Sequence, residues 1–63
     1  MPKQTFLNLP EDKKQKILEA AKNEFSRVSV TEASINNIVT EANIARGSFY
    51  QYFESKEDLL IFM

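Results

Sequence analysis

The sequence contains no cysteine and no histidine, and only one glycine and two prolines among its 63 residues. Without cysteine a disulfide is impossible, and without either residue type the common zinc sites have no ligands. The acidic residues are scattered along the chain, and none has the spacing of a calcium-binding loop. We therefore expect no metal ion and no cofactor.

Long apolar segments are also missing. No apolar run approaches the roughly 20 residues that a membrane-spanning helix requires, and the N-terminus lacks the pattern of a secretory signal. We therefore expect a cytoplasmic protein with no membrane partner. The net charge of −1 does not by itself favour nucleic-acid binding, since phosphates are neutralised mainly by lysine and arginine.

The length allows one domain with a small core, because such a domain buries only about 60% of the surface that its unfolded chain exposes. The sequence ends in five apolar residues, 59–63. We expect this end to begin a helix that leads into a further domain, absent from the sequence given.

The scarcity of glycine and proline favours helices. Residues 1–9 are predicted to form a flexible arm. Asn8 is a candidate helix cap, with Pro10 in the first turn, where its missing N–H costs little. A first helix is predicted over 10–27, because apolar residues recur there with helical spacing. That apolar stripe consists of Ile17, Leu18, Ala21, Phe25 and Val28.

Three shorter helices are predicted after a loop. Ser34 caps the second helix, and Asn43 ends it, because asparagine tolerates the left-handed backbone conformation. A short third helix begins at Ala45 or Arg46, and Ser55 caps a fourth helix that runs to the end of the chain. Two short helices joined by a tight turn form the layout of a helix-turn-helix.

The outward face of the third predicted helix suits the major groove of DNA. Arg46 can form two hydrogen bonds with guanine, Gln51 can pair with adenine, and Ser48 can bond a base or a phosphate. The rigid rings of Tyr50 and Tyr52 carry hydroxyls that can reach phosphates and fix the register on the duplex.

Gly47 interrupts this helix with a residue that costs about 0.5–1 kcal/mol relative to alanine. We expect a compensating reason, namely close approach of the backbone either to DNA or to a neighbouring helix. Two other functions remain open from these residues. A helical protein-interaction module can present the same face, and it predicts no sequence-dependent DNA binding. An enzyme is disfavoured, because no acid pair or activated nucleophile shares a face.

The segment 34–60 resembles the signature of the tetracycline-repressor family, most clearly in the run Gly-Ser-Phe-Tyr-Gln-Tyr-Phe-Glu-Ser-Lys-Glu-Asp-Leu over 47–59. The resemblance covers roughly 11–60. It implies an all-α, homeodomain-like domain with three helices over 10–55, followed by the start of a fourth helix over 56–63. It also implies a bacterial repressor, not an enzyme, that binds a palindromic operator in double-stranded DNA as a homodimer. A small-molecule inducer and the dimer partner would bind the absent C-terminal domain.

The resemblance also assigns roles to individual residues by their position. Those it implies in contacts with bases are Arg46, Gly47, Ser48, Gln51 and Asn36. Those it implies in contacts with phosphates are Tyr50, Tyr52, Lys56, Ser34 and Thr40. The chain departs from the family pattern at Asn43, where glycine is usual in the turn, and at Ala45, where serine or threonine often caps the recognition helix. The missing cap could cost about 1 kcal/mol.

Charge is balanced within the predicted helix-turn-helix. Between residues 34 and 56, Arg46 and Lys56 are matched by Glu41 and Glu54. Hydroxyls, amides and helix N-termini must then supply much of the phosphate binding. We therefore expect a shallower salt dependence of DNA binding than a lysine-rich protein shows, with a log–log slope no steeper than about −8 for a dimer.

Overall fold

The computed structural model describes residues 3–63, and every regular element in that part of the chain is a helix. In chain order the helices are α1 (Gln4–Leu7), α2 (Glu11–Arg27), α3 (Ile35–Ala42), α4 (Arg46–Tyr52) and α5 (Lys56–Phe62). The predicted all-α class is confirmed, and the four predicted helices correspond to α2, α3, α4 and α5.

The long helix α2 begins one residue later than predicted and ends where predicted. Pro10 occupies its N-cap position, so the prediction that Asn8 caps this helix is wrong. Asn8 instead closes α1, where its side-chain oxygen accepts a hydrogen bond from the Gln4 amide at 3.1 Å. Glu11 and Asp12 occupy the first turn of α2, where negative charge is favoured by the helix dipole.

The core lies where α2, α3 and α4 meet and extends to α1 and α5. Its buried members are Phe6, Ile17, Ala20, Ala21, Ile38, Val39, Ala42, Phe49, Phe53 and Leu59. Of the stripe predicted on the first helix, Ile17 and Ala21 are buried, whereas Leu18, Phe25 and Val28 are only partly buried. Because Phe49 in α4 and Phe53 at its C-cap are completely buried, the exposed residues of α4 face away from the core.

The prediction of a flexible arm over 1–9 is wrong for residues 3–9, which contain α1 and are packed against the core. Phe6 is completely buried, with its ring centroid 4.8 Å from that of Phe53 and 5.5 Å from that of Phe62. The Lys3 N–H donates to the Tyr52 carbonyl at 2.8 Å, which ties this segment to the end of α4. Burial of one large apolar side chain contributes about 1.5–3 kcal/mol, which helps to hold a helix too short to be stable alone. Residues 1–2 of the predicted arm lie outside the described residues.

Two further observations concern residues 3–63 as a whole. None of their helices combines the length and the apolar character that crossing a membrane requires. Within the same part of the chain, no three carboxylates are grouped as ligands for a metal ion.

Candidate nucleic-acid interface

The turn between α3 and α4 is built around Asn43. Its backbone has φ 62° and ψ 44°, the left-handed conformation, as the sequence predicts. The Ile44 N–H donates to the Val39 carbonyl at 3.0 Å, and the Asn43 N–H donates to the Thr40 carbonyl at 3.2 Å. This pair of bonds is the Schellman pattern, which satisfies the last carbonyls of α3 and turns the chain sharply into α4.

Caps differ between the two helices on either side of this turn. The Ser34 hydroxyl accepts a hydrogen bond from the Asn37 N–H at 3.2 Å, which confirms the predicted cap of α3. Ala45 stands at the N-cap position of α4 with an extended backbone and no side-chain acceptor. Helix α4 therefore begins without the side-chain bond that normally stabilises a helix N-terminus.

Burial divides α4 into two faces. Phe49 is completely buried, whereas Arg46, Gly47, Tyr50 and Gln51 are exposed. Four predicted DNA-contacting residues thus share the exposed side of one short helix. An α-helix is about 10–12 Å across with its side chains, which fits within a major groove about 12 Å wide.

Arg46 and Asn36, both predicted base contacts, lie next to each other on the exposed side of α4 and α3. The Arg46 Nη1 donates to the Asn36 Oδ1 at 3.3 Å. The Asn36 side chain thereby orients the Arg46 guanidinium, whose other N–H groups remain able to donate. Asn36 therefore has a role in holding Arg46 in addition to any contact of its own.

Gly47 has open space around it. A side chain built on its Cα would meet no heavy atom within 4 Å, outside its own helix backbone and chain neighbours, and its φ is not positive. Neither a neighbouring helix nor an unusual backbone conformation accounts for a glycine here. Packing against a neighbouring helix is therefore excluded as the reason for this glycine, and close approach of α4 to DNA stays a prediction.

The two tyrosines occupy different environments. Tyr50 is 41% exposed, and its ring packs edge-on against Phe49 with the centroids 5.4 Å apart. Tyr52 is half-buried, and its ring lies edge-on to Phe6 at 6.2 Å. Tyr50 therefore stands out from the helix, whereas Tyr52 is part of the wall next to the core.

Lys56, a predicted phosphate contact, is engaged within the protein. Its Nζ donates to the carbonyls of Thr31 and Ala33, each at 2.9 Å, and so ties the start of α5 to the loop before α3. Ser34, predicted for the same role, already uses its hydroxyl oxygen as a cap. Thr40 is exposed near the end of α3. The structure brings Ser34, Tyr50 and Lys56 together along one surface cleft, whereas Tyr52 and Thr40 lie outside it.

Glu24 is a residue that the sequence analysis missed, although it falls on the apolar stripe of α2. Its side chain is 2% exposed, and its carboxylate accepts a hydrogen bond from the Ser34 N–H at 2.8 Å. It also pairs with Arg27 and receives the Asn37 amide at 3.4 Å. The Ser34 N–H is the main cause that lowers the pKa of Glu24, against the opposing effect of burial. Glu24 thus fixes the start of α3 to α2.

Two residues near the start of the described chain, Lys3 and Thr5, are hydrogen-bonded to the end of α4. The Lys3 Nζ donates to the Tyr50 carbonyl at 2.8 Å, and the Thr5 hydroxyl donates to the Gln51 carbonyl. These bonds satisfy carbonyls at the end of α4 and leave its outer face free. No periodicity in a four-residue segment could have predicted them.

Comparisons with known proteins agree with this architecture. The sequence model of a family described as bacterial regulatory proteins, tetR family, matches residues 17–62. A solved TetR family transcriptional regulator from Chloroflexus aurantiacus superposes with a TM-score of 0.92 and 44% identity, over 98% of this chain and 29% of that one.

Two curated proteins of Bacillus subtilis are also similar, both described as uncharacterized HTH-type transcriptional regulators. YvdT is 45% identical over 60 residues, which is 95% of this chain and 28% of the relative. YdgC is 41% identical over 46 residues, which is 73% of this chain and 24% of the relative. The chain therefore spans less than a third of the length of the proteins that it matches.

Proposed function

The chain belongs to the TetR family of bacterial transcriptional regulators, and we propose that it is the operator-reading part of a ligand-released repressor. The observation that carries this proposal is the outer face of α4, where Arg46 and Gln51 are exposed on either side of an unobstructed Gly47. A helix with such a face can enter a major groove and read base edges.

Base reading centres on Arg46. Its guanidinium, held by Asn36, presents two parallel donors to the O6 and N7 atoms of guanine. Gln51 lies further along the exposed face and pairs with adenine. Ser48, which is only half-exposed, reaches a base edge from the side of the helix, and Gly47 brings the backbone close to the groove.

Phosphate contacts hold the helix in place. Tyr50, which is exposed on α4, offers its hydroxyl to a phosphate, and the half-buried Tyr52 does so from beside the core. Thr40 and Ser34 offer hydroxyl donors from α3. Lys56 has one ammonium hydrogen left after its two bonds to loop carbonyls, so it contacts a phosphate as a third partner.

The complete protein acts as a homodimer in this proposal. Two copies of α4 read the two halves of a palindromic operator, about 34 Å apart. Binding of a small molecule to the rest of the protein weakens operator binding. Such a regulator works in the cytoplasm, at the nucleoid. A fluorescent fusion of the full-length protein should therefore overlap the chromosome. A uniform distribution of fluorescence in the cell would contradict this localisation.

The first test measures sequence preference. A duplex is selected by the full-length protein from a random-sequence pool, and its affinity is compared with that of a shuffled duplex by fluorescence anisotropy. We expect the selected duplex to bind at least about a thousandfold more tightly, and Arg46→Ala to reduce that ratio. Lys22→Ala, which removes an exposed charge from α2, is the matched control and should keep the ratio.

The same measurement distinguishes operator reading from the alternative of a protein-interaction module. Equal binding of both duplexes, or none, would contradict operator reading and favour a protein-interaction module with this fold. The direction of regulation needs a second measurement. A reporter behind the selected duplex should become more active when the gene is deleted, and lower activity would identify an activator.

A further inference from the structure

A cleft of about 360 Å³ opens between the first half of α2 and the turn that leads into α4. Lys13 and Lys16 line it from α2, and Asn43, Ser48 and Tyr52 line it from the other side. Because Lys13 and Lys16 are three residues apart on a helix, their side chains occupy the same face. Both are exposed.

The charge of this cleft is of one sign. Its only ionisable side chains that are charged at neutral pH are the two lysines, and no carboxylate lines it. Three other surface clefts each include at least one carboxylate, among them Glu19 beside Lys22 and Glu54 beside Arg46. The remaining polar groups beside the lysines are two hydroxyls and an amide, all able to donate to an anion.

The position of the cleft relates it to α4. Ser48 and Tyr52 are four residues apart, so they form one side of α4, next to its exposed face. When a helix lies in the major groove, the two sugar-phosphate backbones run along its flanks. The lysines of α2 therefore stand on one such flank, beside a helix-turn-helix (34–56) whose own charges sum to zero.

Lys14 shows that this placement is specific to one face of α2. It lies between the two cleft lysines in the sequence but does not line the cleft. Its Nζ instead lies 3.9 Å from the Glu11 carboxylate on the preceding turn. The same helix thus carries lysines on different faces, which supplies matched controls.

We infer that Lys13 and Lys16 form a sequence-independent binding site for the DNA backbone, which seats phosphates in the cleft beside Ser48 and Tyr52. The inference rests on the proposed operator binding and adds to it a source of positive charge outside the helix-turn-helix. Because Lys13 and Lys16 are positively charged, the ligand that we propose for the cleft is the phosphates of the duplex that α4 reads. An acidic protein partner would instead leave DNA binding unaffected by these lysines.

The test compares two double variants of the full-length protein, each of which lacks two positive charges on one face of α2. The cleft variant is Lys13→Gln with Lys16→Gln, and the control is Lys14→Gln with Lys22→Gln, which has the same net charge. Affinity for the selected and the shuffled duplex is measured over a range of salt concentrations. Because the changes are on the surface, circular dichroism should show unchanged helix content.

Each lost phosphate contact should reduce the magnitude of the log–log salt slope by about 0.9. Loss of both lysine contacts in one bound domain should therefore reduce the slope by about 1.8. Between about 50 and 200 mM salt, the affinity of the wild type should then fall about 12-fold further than that of the cleft variant, for each domain bound. The same reduction should appear on the shuffled duplex, because phosphates carry no sequence information. The control should change the slope by much less.

The outcomes separate this inference from the function on which it rests. Equal slopes for the cleft variant and the control, or a loss confined to the selected duplex, would overturn the cleft as a backbone site and leave operator reading intact. Failure of the wild type to prefer the selected duplex would overturn operator reading. In that case, a slope change on both duplexes would still support the cleft.

Discussion

Replacing Gly47 by alanine should stabilise the free domain and weaken its binding to DNA. In the free protein the added methyl group meets no atom within 4 Å beyond the local helix backbone, so it causes no clash. Alanine is also favoured over glycine in a helix by about 0.5–1 kcal/mol, mainly because it has less backbone freedom to lose on folding. For a domain of this size, that difference raises Tm by roughly 2–8 °C.

The same methyl group occupies the space through which α4 is proposed to approach the groove. We expect the full-length Gly47→Ala protein to bind the selected duplex at least about tenfold more weakly, a loss of about 1.4 kcal/mol. Thermal unfolding followed by circular dichroism and binding by anisotropy measure the two effects. Ser26→Ala is the control, because it improves helix propensity at an exposed position of α2 by about 0.5 kcal/mol.

Either of two results would refute this reasoning. A lower Tm for Gly47→Ala would mean that the space around Gly47 is not open in the free protein. A higher Tm with unchanged affinity would mean that the backbone of α4 does not come close to DNA at this residue. Ser26→Ala should raise Tm without reducing affinity, which excludes a general effect of stabilisation on binding.

Three further changes test how the domain is held together. Phe6→Ala should cost about 3–5 kcal/mol and leave much of the protein unfolded by circular dichroism, whereas Leu7→Ala, at an exposed neighbour, should have little effect. Ala45→Ser should add a cap to α4 and stabilise the domain by about 0.5–1 kcal/mol in urea unfolding; an unchanged midpoint would contradict the cap. Glu24→Gln should destabilise the domain at neutral pH. Because the pKa of Glu24 is lowered from 4.5 on folding, its stabilisation is present above that value and is lost below it. The stability gap between wild type and Glu24→Gln should therefore narrow on acidification, and a constant gap would contradict us.

Much of the fold could be predicted from local signals in the sequence. The caps at Ser34 and Ser55 and the left-handed turn at Asn43 are confirmed, because each depends on the chemistry of residues close in sequence. The apolar spacing of the first helix likewise placed Ile17 and Ala21 on its buried face. Such features require no knowledge of which other element lies opposite.

What the sequence could not predict depends on distant partners. Helix α1 is too short to show periodicity, and it is held by the burial of Phe6 among residues some 50 positions away. The bonds of Lys56 to loop carbonyls and of Glu24 to the start of α3 are likewise tertiary. For the interface, Arg46, Gly47, Tyr50 and Gln51 are exposed as predicted, whereas Ser48 and Tyr52 are half-buried. Their contacts with bases and phosphates stay predictions.

The network around Glu24 has a consequence for natural variation among related sequences. Its one carboxylate serves the backbone of residue 34, the amide of Asn37 and the guanidinium of Arg27. An aliphatic side chain at position 24 would fill the same volume but would leave these donors without an acceptor. Positions 24, 27 and 37 should therefore covary: where evolution has exchanged the acid for a leucine, the two polar partners should have been exchanged with it.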